Sequence, residues 1–94
     1  MIIRIVKMTF IESRIDDFKK FAVSIAPTIR SFKGCHHLDV LQDIHHNNIF
    51  FTYSHWESEA DLDSYRSSEF FKWTWSKVTE WFKHRPQAWS TEKL

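Results

Sequence analysis

Six histidines, five tryptophans and two tyrosines are the side chains in these 94 residues best equipped for chemistry. An imidazole takes or gives a proton near neutrality, and a phenolic hydroxyl in a dry pocket donates to a developing oxyanion. If Ile44 opposes Ile49 across His45-His46-Asn47-Asn48, strand alternation puts His37, Leu41, Phe50, Thr52, Ser54 and Trp56 on one sheet face. His36, Leu38, Val40, Phe51, Tyr53, His55 and Glu57 then fall on the other. The first set is the more polar and suits a pocket under helices; the second has the run expected of a subunit interface. In that register His37 lies almost opposite Trp56, so it is the candidate base or hydrogen-bond partner for a ligand resting on the indole. Tyr65 is the candidate oxyanion donor, and Phe50, Thr52, Ser54 and Leu62 are the candidate ligand-binding positions. A solvated edge histidine, a core tryptophan and a tyrosine packed on Leu62 would give the same pattern.

The face carrying His36, His55 and Glu57 offers two imidazoles and a carboxylate, a set that binds transition metals, although a polar cluster at a dimer rim accounts for it equally. Neighbouring strand residues point apart, so His36 and His37 are not expected to act as a pair. His45 and His46 belong to the loop, where turn chemistry is the default. Cys35 is the only cysteine, which leaves no internal disulfide and no thiolate zinc set, and fits a reducing cytoplasm. With Gly34 as the only glycine, no phosphate cradle can be built.

The elements that must position these groups read clearly. Ile2 to Phe10 is a strand, with Ile3 and Ile5 on one face and Val6, Met8 and Phe10 on the other. From Ser13, a candidate cap, Ile15, Phe18, Phe21, Ala22, Ile25, Ile29 and Phe32 recur at helical spacing up to Gly34, a left-handed stop. Pro27 has no N–H for the Val23 carbonyl, so a kink or an early end near the last turn is expected. Cys35 to Ile44 and Ile49 to Glu57 form a hairpin. Ser58 caps a short helix through Tyr65, and Ser67-Ser68 caps a longer one with Phe71, Trp75, Val78 and Phe82 inward, ended by Pro86. Trp73 points away from that stripe and is assigned to a subunit contact. Ala88 to Glu92 is a final strand.

Strand, helix, strand, strand, helix, strand is the split βαβ order, an α+β ferredoxin-like fold with an antiparallel sheet, in one domain over residues 1–94. Its helices cover one sheet face, yet Phe51 and Tyr53 are apolar opposite Phe50 and Trp56. A second copy packed face to face, making a homodimeric α+β barrel, is the economical cover. Thirteen basic against twelve acidic residues, without a charged block, exclude the footprint of a nucleic-acid binder, and no apolar run suits a signal peptide or membrane span.

The chain resembles the antibiotic biosynthesis monooxygenase family. The resemblance rests on Phe32-x-Gly34-Cys35, on Phe50-Phe51-Thr52-Tyr53-Ser54-His55-Trp56-Glu57 with Ser58-x-x-Asp61-Leu62, and on Tyr65 followed by Ser68-x-x-Phe71. It implies a homodimer that oxidises a small aromatic phenol or quinol with dioxygen, using no metal or cofactor. A non-catalytic binding or protective dimer and a proton-transfer isomerase are the alternatives on the same fold. Where many members have an acidic residue two places before the strand-end tryptophan, this chain has Ser54. Where haem-degrading relatives place an axial histidine, it has Trp75, which cannot ligate iron.

Overall fold

Alternation in Ile2–Thr9 (β1) gives one side to the helices and the other to the outside, and the other strands align on it. The computed structural model describes Met1–Leu94. After β1 come a 3-10 turn (Glu12–Arg14), α1 (Ile15–Arg30), β2 (Cys35–Gln42), β3 (Ile49–Trp56), α2 (Glu59–Arg66), α3 (Glu69–Val78), a second 3-10 turn (Thr79–Trp81) and β4 (Gln87–Thr91). The sheet order is β2-β3-β1-β4, every pair antiparallel, which is the ferredoxin-like α+β arrangement.

Local rules account for most boundaries. The Ser58 and Ser68 hydroxyls accept from the Asp61 and Phe71 amides and start α2 and α3. Gly34 sits at φ +84°, and an added Cβ would collide with the Asp61 side chain, so both conformation and space demand glycine. One helix expectation is corrected. Ser13 does not cap α1, because the 3-10 turn precedes it and Arg14 occupies the cap position without a side-chain bond. Pro27 does not end α1 at its own position, and the helix runs on to Arg30. Val23 and Pro27 both lie on the exposed face, so water can satisfy the carbonyl that loses its partner.

The hairpin register is the main correction. The Asp43 carboxylate accepts from the amides of His45 and His46 at 2.7 and 3.0 Å, and the Asp43 amide donates to the Ile49 carbonyl at 2.9 Å. Ile44 is therefore drawn into the loop, and Leu38, Val40 and Gln42 oppose Ser54, Thr52 and Phe50. That is a slip of one residue from the expected pairing, and in a strand one residue exchanges the faces. A bulge at His36 restores Cys35 opposite Trp56.

Two apolar clusters form under the helices, one around Phe10, Phe18 and Phe50 and one around Ile29, Leu38, Trp56 and Leu62. Outside, Ile3, Ile5, Phe51, Tyr53 and Leu41 share the sheet's other face with Trp89. Leu41 and Trp89 remain 47% and 45% exposed there. Trp73 belongs to neither surface: it lies half-exposed in the helical layer beside Phe21 and Phe70, so it is not part of the outer sheet face.

Candidate functional site

Small residues on α1, Ala22 and Ala26, face the short side chains Thr52 and Ser54 of β3 across the gap between the two clusters. What remains is a cavity of about 370 Å³ between sheet and helices. Trp56, Tyr65, Phe71 and Trp75 form one wall, each ring in contact with the next. Tyr65 is stacked on Trp56 at 4.9 Å, Phe71 stands edge-on to Tyr65 at 5.1 Å, and Trp75 follows Phe71 at 5.7 Å. Leu62, Met8 and Val78 add aliphatic surface.

The polar groups on this lining are few. Ser54 Oγ accepts from the Trp56 indole Nε1 at 3.0 Å, which fixes the ring edge in a site where an unpaired N–H would be costly. Tyr65 meets no hydrogen-bonding group that would favour its anion; burial, and secondarily the Cys35 charge, push its phenol well above the ordinary value, so it stays an O–H donor. Thr74, 7% exposed, has a buried Oγ1 without any hydrogen-bond partner. That oxygen is fully buried behind the lining, so it is an unpaired packed hydroxyl and is not open to the cavity. Arg4 and Arg66 complete the set, from β1 and α2.

Of the residues expected from sequence, Trp56, Tyr65, Thr52, Ser54 and Leu62 are brought together on the cavity. Phe50 is not: it packs edge-on against the stacked Phe10 and Phe18 rings in the first cluster. His37 is not either. The register slip puts it opposite His55 on the outer face, where its Nε2 lies 2.7 Å from Asp39, so it cannot meet a ligand on the Trp56 indole. The polar set His36, His55 and Glu57 also separates. His36 Nε2 lies 2.6 Å from the Glu57 carboxylate, while His55 Nε2 is buried without a partner between the His37 and Tyr53 rings. No group of three His, Cys, Asp or Glu side chains is placed to hold a metal ion. The bulge also sets aside strict alternation, since two successive histidines occupy the space opposite His55. Cys35 lies beside the Trp56 cluster, and burial raises its thiol, the state of a packed rather than an activated cysteine.

Sequence reading missed Arg4 and Arg66. Arg4 had a visible signal, a charge among the apolar residues of a central strand on the side shared with Val6 and Met8. Arg66 had none, because its place on the cavity depends on which helix faces close over the sheet.

A ferredoxin-like α+β fold whose sheet and helices enclose an aromatic-walled cavity is the class these features define. A family model described as antibiotic biosynthesis monooxygenase matches residues 1–74, and the chain belongs to that family. Among solved structures, one of an antibiotic biosynthesis monooxygenase superposes with a TM-score of 0.93 at 16% identity, covering 100% of this chain and 99% of the other. A conserved protein of Methanosarcina mazei gives 0.92 at 21% identity, covering 100% and 94%. A Pseudomonas aeruginosa protein gives 0.88 at 17%, covering 99% and 93%. At these identities the likeness is one of fold. No curated protein matches the sequence. No helix is long and apolar enough to cross a membrane.

Proposed function

We propose that the protein is a cofactor-independent monooxygenase that oxidises a small aromatic phenol or quinol with dioxygen, working as a homodimer in the cytoplasm. The observation that carries this reading is the cavity lined by Trp56, Tyr65, Phe71 and Trp75. Family membership supports it.

In this reading the substrate ring rests against the Trp56 and Tyr65 side of the cavity, and the Tyr65 hydroxyl donates to one of its oxygens. Loss of a proton makes the phenolate, which passes one electron to dioxygen. Recombination forms a carbon–oxygen bond, and the resulting peroxide loses water as the new carbonyl forms, so one oxygen atom stays on the ring. Thr52 and Ser54 shape the floor, and Leu62 excludes water. The role once expected of His37 has no occupant, because no imidazole or carboxylate lines the cavity.

That same lack favours a second reading, a non-catalytic binding or protective dimer that takes the same ligands. A proton-transfer isomerase is less well supported, since it would need a base beside the ligand. Oxygen uptake separates the two leading readings. Purified protein without added metal should raise uptake above the uncatalysed rate with at least one member of a panel of quinols and anthrones, and Tyr65→Phe should lower that rate while His37→Ala leaves it unchanged. Calorimetric binding of the panel with no uptake would leave the binding protein as the correct reading.

A further inference from the structure

Arg4 is an unusual residue to find on the inner side of a central strand. Its neighbours along that side are Val6 and Met8, and its partners across the sheet are Ser54 and Ser90. The Arg4 side chain is partly buried, so its guanidinium loses some of its water without gaining a carboxylate in exchange. Here its one side-chain hydrogen bond goes to Ser90 Oγ at 3.0 Å, and no carboxylate lies within salt-bridge distance. Arg66, at the last turn of α2, lines the same cavity and is likewise without an ion-pair partner. The two cations act on each other: Arg4 is lowered from the ordinary guanidinium value first by burial and then by repulsion from Arg66, against which Asp63 is the one opposing charge. Two arginines without carboxylate partners on the lining of one aromatic-walled cavity, with no acidic side chain on that lining, form a set that matches an anionic oxygen.

We infer that the cavity binds its aromatic ligand as an anion, with the negatively charged oxygen held by Arg4 and Arg66. This rests on the aromatic-ligand reading above and deepens it. The pair also answers the missing base. A phenol bound beside two guanidiniums ionises without a dedicated acceptor, its proton leaving to solvent, because the cations stabilise the product of that step. The charged oxygen belongs either to a phenolate or to a carboxylate substituent, and both are recognised by the same guanidinium donors.

Two probe sets distinguish these sources. In the first, 4-nitro-1-naphthol is titrated by its absorbance with and without excess protein. Its bound form is expected to ionise about one pH unit lower than the free form, corresponding to about tenfold stabilisation of the anion. Arg66→Gln should remove much of that shift, Arg4→Gln with Arg66→Gln all of it, and Arg14→Gln, an exposed arginine paired with Asp17, none of it. In the second, calorimetry compares 2-naphthoate with 2-naphthamide, and a carboxylate ligand predicts about tenfold tighter binding of the acid, lost in the same variants. A positive first arm assigns the phenolate, and a positive second arm the carboxylate. Probes that bind with no ionisation shift and no preference for the acid would overturn the inference while leaving the aromatic cavity standing. Failure of every probe to bind would remove both. Arg66 is exposed, so Arg66→Gln keeps the test readable if Arg4→Gln proves unstable by circular dichroism.

Discussion

The Tyr65 ring is stacked on the Trp56 indole, centroids 4.9 Å apart and planes inclined by 22°. Trp56 is 1% exposed, and its Nε1 donates to Ser54 Oγ. One buried residue therefore ties the end of β3 to α2 and supplies part of the cavity wall, so packing and site cannot be altered independently here.

The Ser54–Trp56 bond gives the first prediction. Ser54→Ala removes the acceptor and leaves a buried indole N–H unpaired, at a cost of about 1–3 kcal/mol. Trp56→Ala removes the ring as well and should cost about 3–5 kcal/mol. Urea unfolding checks both; a Ser54→Ala midpoint equal to wild type would show that the hydrogen bond contributes nothing.

Thr74 should behave in the opposite sense. Thr74→Val keeps the shape and deletes the unpaired hydroxyl, so the ligand-free protein is expected to gain about 1 kcal/mol. The same change should leave binding of the aromatic ligand within about twofold, because that oxygen is closed off from the cavity. Thermal unfolding and calorimetric titration read the two effects, and a variant less stable than wild type would mean that the hydroxyl is not an orphan.

A third expectation concerns alkaline pH. Burial raises the Tyr65 phenol, with the Cys35 charge a lesser contribution. Below the ordinary tyrosine value of about 10, folded and unfolded chains both keep the proton and the full contribution to stability is present. Above it the unfolded chain releases its proton first, so stability falls as pH rises toward the higher folded value. Denaturant midpoints measured from about pH 9 to about pH 11 should decline more steeply for wild type than for Tyr65→Phe. Parallel declines would assign the loss to other groups.

The outer sheet face provides the fourth. Leu41 and Trp89 are among its exposed apolar side chains, and burial against a second copy would remove them from water. Wild type is expected to sediment as a dimer at micromolar concentration, and the Leu41→Glu, Trp89→Glu double variant as a folded monomer. A monomeric wild type would sink the homodimer.

Much of this was written locally in the chain. The caps at Ser58 and Ser68, the left-handed Gly34, the stripe of α1 and the alternation of β1 each depend on residues a few positions apart, and each fell where the sequence placed it. The family motifs gained a physical meaning as well: Gly34 has no side chain because Asp61 of the Ser58-x-x-Asp61 turn fills that space.

What periodicity could not reach was decided by the tertiary structure. The two sheet faces of β2 depend on how many residues the loop takes up, and the Asp43 carboxylate, by holding the His45 and His46 amides, drew in one more than the pattern suggested. That single residue moved His37 away from the cavity and brought Leu38 and Val40 to it. The placing of Arg4 and Arg66 on one cavity is of the same kind. Alternation and helical spacing are local properties of one segment, whereas a site assembled from β1, α2 and α3 exists only once those segments have packed.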